Sequence, residues 1–580
     1  MQETVASCLR IGQRHALFLA GLLGILLLLQ PLHLFIFRNQ WGHDSQVLVR
    51  FAMHVAAEGT LWPGAWLSQA QGGLGSPAFA FYPPLLFALA NWLHAVGVAG
   101  SHATSLAVAR IIILVVGVGG GLLVLRRQFG RRAAAAAFLV FAVSPYLVFV
   151  NVTLRYAAAE SAASGLMFLA LALAVAAARG SFLAGPALAA AAALILLTHL
   201  PSFIMTASIL GAFALASRPA RMLPLTACAL MLAVALGAFH ALPASHLKDA
   251  ISLGLFLGEG HSYRGTMLFW GSLAVSQFSY VWAVLYAIFF SLLAAAAILL
   301  AGRLRLVAGE PVPRGLAAAL LAALFFATPL SLPFWHTLPP LQLLQFPWRF
   351  LGAASVATAV LAAALSGGSR RLGVLAVHGT LLAACFATFA LFAASDRWPH
   401  RKPVFAVGSA MDEAVASDDL MRDPPEYIPA LAREAGWVRL VEQDGRWVPV
   451  GHEVVSRGSL PRLTQGEGSV TIARDGPGRF RVHASCAEPC VAELPQFWFP
   501  GWSASGQGAG SPGPSLAGLV SLDLPAGQAE VTLEMTPPPI AATGRQLSLA
   551  GCLALAGWFA IAAIAGRRSR RPTPLAAAAE

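Results

Sequence analysis

Residues 102–150 read HATSLAVARIIILVVGVGGGLLVLRRQFGRRAAAAAFLVFAVSPYLVFV, two apolar runs joined by Arg126-Arg127-Gln128-Phe129-Gly130-Arg131-Arg132. A helix of about 20 apolar residues crosses the hydrocarbon core of a bilayer. In lipid each backbone group must find its partner within the same helix. Four arginines cannot enter that core cheaply, so they hold the turn between the runs on the cytoplasmic side. The same alternation runs outward in both directions. Apolar runs fall at 16–37, 133–150, 161–178, 183–198, 202–217, 222–241, 279–302, 315–331, 347–366, 372–394 and 546–566, besides 102–125. Arginines punctuate them at Arg10/Arg14, Arg179, Arg218/Arg221, Arg303/Arg305/Arg314, Arg370/Arg371 and Arg567/Arg568/Arg570/Arg571. One further run, 79–98, breaks the alternation if it crosses. It opens with Phe81-Tyr82-Pro83-Pro84 and carries Asn91, Trp92 and His94, which suits an interfacial or re-entrant helix. Twelve crossings then remain, with both termini and every arginine cluster in the cytoplasm.

Composition agrees. Of 580 residues, 57% are hydrophobic and 11% are charged, against roughly 25% charged in soluble proteins. Mean hydropathy is +0.70. A soluble globule and a disordered chain are both excluded. The net charge of +12 comes from the short arginine clusters, which read as membrane anchors. No basic stripe with interleaved aromatics points to nucleic acid. The first run, 16–37, has no small-residue cleavage site after it and reads as a retained signal anchor.

Residues 395–545 depart from this pattern. Charges, Gly and Pro return, and period-two segments appear at 469–474, 479–483 and 529–534, separated by Asp475-Gly476-Pro477-Gly478 and Pro525-Ala526-Gly527. Such alternation between turns predicts a β-sandwich. The predicted fold is a polytopic α-helical membrane protein with an extracytoplasmic β-sandwich-like domain. Its parts are a transmembrane domain (1–394) with outer loops 38–101 and 242–278, a β-rich domain (395–545), a final crossing (546–566) and a basic cytoplasmic tail (567–580). Four cysteines lie in or beside apolar runs. Cys486 and Cys490 share a polar stretch outside the membrane, where a disulfide is plausible. A zinc site there would lack a second ligand pair.

The ionisable residues with chemical promise sit in the outer segments. Asp44 follows the first crossing, as either a general base or ligand, or a helix N-cap ahead of Val47–Ala57. Arg50 and His54, four apart, share a helix face, either binding substrate or simply solvated. Arg155 and Glu160 lie in a second outer turn over Asn151–Glu160. Arg155 is a phosphate clamp or an interfacial ion-pair partner, and Glu160 is a second acid or an orienting group. His199 either binds phosphate when protonated or bridges backbone groups near Pro201. Arg349, with Trp348 beside it, either snorkels or binds phosphate. His261, Tyr263 and Arg264 form a polar–aromatic cluster. Trp62, Trp66, Tyr82 and Trp335 are candidates for stacking on sugar or polyprenyl. Gly117 and Gly119–Gly121 read as helix packing. No nucleotide-binding loop, His-Glu-x-x-His or Gly-x-Ser-x-Gly appears.

Several blocks resemble a known family. Asp44…Arg50…Gly59-Thr60-Leu61-Trp62-Pro63…Gly73-Leu74-Gly75-Ser76-Pro77…Phe81-Tyr82-Pro83-Pro84-Leu85 is similar to the first outer loop of GT-C-type membrane glycosyltransferases, most of all the bacterial YfhO-like group. That group is also labelled 6-pyruvoyl-tetrahydropterin synthase-related, although the histidine cluster of a soluble zinc pterin synthase is missing here. Arg155-Tyr156-Ala157-Ala158-Ala159-Glu160, Thr198-His199-Leu200-Pro201, Gln345-Phe346-Pro347-Trp348-Arg349-Phe350, Pro425-Glu426-Tyr427-Ile428-Pro429 and Phe499-Pro500-Gly501-Trp502 extend the resemblance in order from about residue 40 to 535. It implies a transferase of the bacterial inner membrane that takes a polyprenyl-phosphate-linked sugar to a glycan, lipid or protein acceptor on the outer face. It also implies catalytic roles for Asp44 and Glu160. Where many such enzymes carry paired acids, this chain has Asp44-Ser45, which weighs against a tightly held divalent metal. No other cofactor is implied. The competing readings are a non-catalytic component of surface-polysaccharide assembly and a transporter.

Overall fold

The computed structural model describes residues 44–60, 62, 66–251, 262–269, 279–365, 368–394, 424–437, 439–443, 446–450 and 460–568. The run 16–37, His261 and the tail beyond Arg568 lie outside the described residues. Fifteen helices matter here: α1 (Ser45–Ala57), α2 (Leu85–Ala95), α3 (His102–Phe129), α4 (Arg131–Leu154), α5 (Ala158–Ala178), α6 (Ala184–Thr198), α7 (Leu200–Ser217), α8 (Pro219–Leu236), α9 (Ala238–Leu247), α10 (Ser279–Leu300), α11 (Pro311–Phe326), α12 (Leu332–Thr337), α13 (Phe350–Ala364), α14 (Gly368–Ala394) and α15 (Ile540–Arg568). Among the described residues nine helices are long and apolar enough to cross a membrane, or ten if the pair Pro311–Phe326 and Pro329–Thr337, bent by 94°, is one span. The chain is a multi-pass membrane protein.

The differences from the twelve predicted crossings have local causes. α6 has 15 residues, about 22 Å at 1.5 Å per residue, short of a ~30 Å core. Run 222–241 divides at Gly237 into α8 and α9. The bend after α11 falls at Thr328-Pro329, where proline cannot continue the hydrogen-bond ladder. Segment 79–98 breaks at Tyr82-Pro83-Pro84, leaving α2 with 11 residues, too short to cross. The turn expected over Asn151–Glu160 is smaller, because Tyr146–Leu154 continues α4 as a fully buried π-helix and α5 begins at Ala158. Its wider winding shows in Arg155 N–H donating to Val150 C=O at 2.9 Å.

Small residues set the helix spacing. At the α3–α5 crossing, a Cβ on Gly117 would lie 2.3 Å from the Gly165 carbonyl carbon, and one on Gly165 would lie 2.6 Å from the Leu114 oxygen. This is backbone-to-backbone packing of the kind small residues permit in membranes. Arginines in the first turns of α11 and α14 bond to the ends of neighbouring helices. Arg314 Nη2 donates to Ser217 C=O at 2.9 Å and Arg370 Nη1 to Ala301 C=O. Asp44, Arg155 and Arg349 meet around Glu160, at the starts of α1, α5 and α13. Among the described residues, Arg110 in α3 donates to Ser161 Oγ at 3.0 Å, and His378 in α14 pairs with Ser291 Oγ at 2.9 Å. Both are buried within spans.

The strands form two four-stranded antiparallel sheets and a hairpin of β1 (Arg439–Gln443) and β2 (Arg446–Val450). One sheet orders β4 (Gly468–Gly476), β5 (Arg479–Cys486), β10 (Gly527–Met535) and β7 (Trp502–Gly506). The other orders β3 (Arg462–Gln465), β6 (Cys490–Phe497), β9 (Leu519–Leu524) and β8 (Gly513–Pro514). The predicted period-two segments are strands. In β5 every second residue is buried, placing Phe480, Val482, Ala484 and Cys486 inward. Cys486 and Cys490 are joined as a disulfide across the β5–β6 turn.

The sheets sit directly on the segment that follows α1. Glu58, buried at the end of α1, accepts from Ser68 N–H (2.7 Å), from Arg474 Nη2 in β4 (3.0 Å) and from Gly478 N–H (3.3 Å). Trp66 Nε1 donates to Gln496 Oε1 at 2.9 Å, and Phe497 N–H to Leu74 C=O at 2.6 Å. Trp66 lies flat over Gly75, where a Cβ would clash at 2.3 Å.

Candidate active site

Asp44 holds the N-cap position of α1 with helical φ and ψ, yet its carboxylate makes no capping bond. The capping alternative is therefore not realised. Asp44 Oδ2 instead accepts from Arg155 Nη2 at 3.0 Å, and Asp44 N–H donates to Arg155 C=O at 2.8 Å. Two segments 111 residues apart are thereby locked backbone to backbone. Arg155 Nη1 donates to Glu160 Oε2 at 2.8 Å, and its guanidinium lies 5.1 Å over the Trp348 ring. Burial opposes the charge on Arg155, but Asp44 and Glu160 outweigh it and raise its pKa.

Glu160 occupies the first turn of α5. Its Oε1 accepts from Tyr146 Oη at 2.8 Å, and Arg349 Nε stands 3.6 Å from its Oε2. Arg349 is buried and donates to Leu344 C=O at 2.8 Å, with its guanidinium 4.8 Å over Phe346. It does not snorkel. The side chains of Arg155 and Glu160 are 12% and 3% exposed, whereas that of Asp44 is 38% exposed. Of the two acids, then, only Asp44 is open to an incoming group.

Two arginines are carried on backbone that resists its natural conformation. Among the described residues four non-glycines have positive φ, and two of them are Tyr156 (55°), next to Arg155, and Gln345 (59°), at the turn leading to Arg349. Such strain persists where surrounding contacts over-determine it. Thr266 Oγ1 helps, donating to Gln345 C=O at 2.9 Å.

His199 caps α7: its Nδ1 accepts from Ser202 N–H at 3.3 Å and contacts Ser202 Oγ at 2.8 Å. Burial pushes the imidazole down to about 3, against the pull of Glu160 and with the added push of Arg349 and Arg155. The ring is therefore neutral and carries its proton on Nε2; of the two sequence alternatives, the one in which His199 bridges backbone groups near Pro201 is realised. Tyr82, in the break before α2, packs edge-on against Phe51 and Phe87. Burial, then the Asp44 charge, pushes its phenol up, while Arg349 and Arg155 pull the other way.

The remaining sequence candidates lie apart. Arg50 and His54 line a separate cavity and not the carboxylate cluster. Tyr263 is buried and stacked on Trp335 at 5.5 Å, and Arg264 is exposed over the Tyr263 ring. Trp335 is fully buried and bonds Ser331 Oγ, and Trp66 is buried under the sheets, so neither is open to a sugar. Trp62 is 43% exposed against Phe239. Sequence reading missed Tyr146 and Glu58. Each is one polar residue at the edge of an apolar run, and only its partner's position reveals it. Among the described residues no group of three or more His, Cys, Asp or Glu is placed to hold a metal ion.

No family model matches the sequence, and no curated protein matches it. Solved structures do. The chain is similar to ArnT from Cupriavidus metallidurans bound to undecaprenyl phosphate, at 14% identity and a TM-score of 0.40, over 71% of this chain and 70% of that one. It is similar to the Archaeoglobus fulgidus oligosaccharyltransferase in the apo form, at 16% identity and a TM-score of 0.39, over 72% of this chain and 55% of that one. It is also similar to the arabinofuranosyltransferase AftD from Mycobacteria, at 18% identity and a TM-score of 0.38, over 70% of this chain and 29% of that one.

Proposed function

We propose that this chain is a GT-C-type, YfhO-like glycosyltransferase of the bacterial inner membrane. It moves a sugar from a polyprenyl-phosphate donor to a glycan, lipid or protein acceptor on the outer face, with the β-domain on that face and the arginine-rich turns in the cytoplasm. The observation that carries the reading is the half-open Asp44 carboxylate, aimed by Arg155, which is in turn held by the buried Glu160. A base must be accessible and fixed in direction, and this arrangement supplies both.

In the reaction an acceptor hydroxyl gives its proton to Asp44 as its oxygen bonds to the anomeric carbon. The bond from that carbon to the phosphate oxygen breaks, and the polyprenyl phosphate leaves with the electron pair. Arg155 and Arg349 keep N–H donors to spare beside that oxygen, and buried guanidinia stabilise developing phosphate charge more strongly than solvated ones. Glu160 positions the two arginines. Neutral His199 offers its Nε2–H, and Tyr82 its phenolic proton, as further donors.

The test is turnover of the full-length protein in nanodiscs with a polyprenyl-phosphate sugar and an envelope extract as acceptor. Asp44→Asn should lower kcat about 10²–10⁴-fold and leave donor binding nearly unchanged. Unaltered glycan product with Asp44→Asn would point to a non-catalytic component or transporter.

A further inference from the structure

A cavity of about 670 Å³ opens beside α1, away from the carboxylate cluster: none of Asp44, Arg155, Glu160 or Arg349 lines it. Its volume is that of a small-molecule site. The charged and titratable lining is all of one kind, namely Arg50 and His54 from α1, His94 from α2 and His102 from α3, with Gln69 and Asn91 as neutral polar neighbours. No acid lines it. The His94 and His102 rings are stacked with centroids 4.0 Å apart, and buried His94 Nδ1 has no hydrogen-bond partner. Asn91 Nδ2 donates to Thr60 C=O, closing one wall. One guanidinium and three imidazoles converging from three helices on a roomy cavity make a cradle for an anion with several acceptor oxygens.

We propose that this cavity binds a phosphate monoester, held chiefly by Arg50 and His94. The phosphate is carried either by a sugar or by a lipid headgroup. Along α1 the Arg50 position lies about 9 Å beyond Asp44. A molecule anchored in the cavity therefore presents a different part of itself to Asp44, which makes the cavity the anchoring site of the acceptor. That last assignment rests on the transferase reading; the capture of phosphate does not. Sequence reading left Arg50 and His54 as either substrate-binding or solvated, with their face toward or away from Asp44; the fold puts both on this cavity.

The experiment is calorimetric titration of the full-length protein in phosphatidylcholine nanodiscs with glucose 1-phosphate, and with glucose as the neutral control. Glucose 1-phosphate should bind and glucose should not. The double variant Arg50→Gln/His94→Gln should weaken binding by about tenfold or more, and Arg50→Lys should keep most of it. Asp44→Asn should bind like the wild type, which separates this result from failure of the transferase reading. Nanodiscs containing phosphatidic acid divide the two sources: loss of the glucose 1-phosphate signal assigns a lipid-borne phosphate, and retention assigns a sugar-borne one. Equal binding of glucose and its phosphate overturns the proposal. So does binding that survives the double variant, or that disappears with Asp44→Asn.

Discussion

Asp44 and Glu160 are both carboxylates within reach of Arg155, and burial separates what each can do. Glu160 is enclosed by Arg155, Arg349 and Tyr146. Removing its charge strands the buried Arg349 guanidinium and leaves Arg155 with Asp44 alone, so Glu160→Gln should cost roughly 3–5 kcal/mol of stability. Asp44→Asn, at a half-open site, should cost no more than about 1 kcal/mol. Melting curves of the two variants in detergent check this: a large loss for Asp44→Asn and none for Glu160→Gln would reverse the assignment of base and positioning group. His199 makes a pH prediction. Unfolded, it takes up a proton near its ordinary value of 6.5, and folded only near 3. Its contribution to stability is thus complete above about pH 6.5 and declines as pH falls toward 3, by roughly 1.4 kcal/mol per pH unit. His199→Asn keeps a capping side chain and should flatten that acid limb relative to the wild type. Half-buried His240, pushed down to about 4 by desolvation, leaves a residual slope in both proteins.

At the level of elements, the bundle depends on where backbones touch. Gly117 and Gly165 meet with no room for a side chain, and Gly121 faces Phe168 at 2.5 Å from where a Cβ would be. Gly117→Leu should force α3 from α5 and cost about 1–3 kcal/mol or more. Since α5 carries Glu160, turnover should fall along with the melting temperature. By contrast, Gly119→Leu meets open space and should be neutral in both assays. The glycine cluster was legible in the sequence as packing, but not which of its members makes the contact, because that depends on the partner helix. Helix ends were legible where proline or glycine stood, as at Thr328-Pro329 and Gly237. The π-helical extension of α4 was not, since Tyr146–Leu154 reads as an apolar run in any helical winding.

For the whole molecule, the sandwich and the membrane bundle meet at Glu58. Its carboxylate ties α1, whose first turn bears Asp44, to β4 and the β4–β5 turn. Glu58→Ala leaves Arg474 half-buried without its carboxylate and removes the acceptor of two buried N–H groups. The loss should be about 3–5 kcal/mol, seen as faster proteolysis between the domains. Turnover should drop even at temperatures where both parts remain folded. If instead the β-domain only decorates the surface, cleavage will be faster but kcat unchanged.

Hydrophobic period and arginine placement determined by themselves that this chain is a helical membrane bundle bearing a β-domain. Those features are local: a window of some 20 residues decides a crossing, and every second residue decides a strand face. They also marked Asp44, Arg155, Glu160, His199 and Arg349 as ionisable groups gathered at one end. Only the tertiary structure decided which of these touch, that Glu160 is sealed while Asp44 is open, that His199 is neutral, and that Arg50 and His54 belong to a different cavity. Charge partners 111 residues apart, and the burial that sets their protonation, arise from packing between segments, and spacing along a chain carries no record of that.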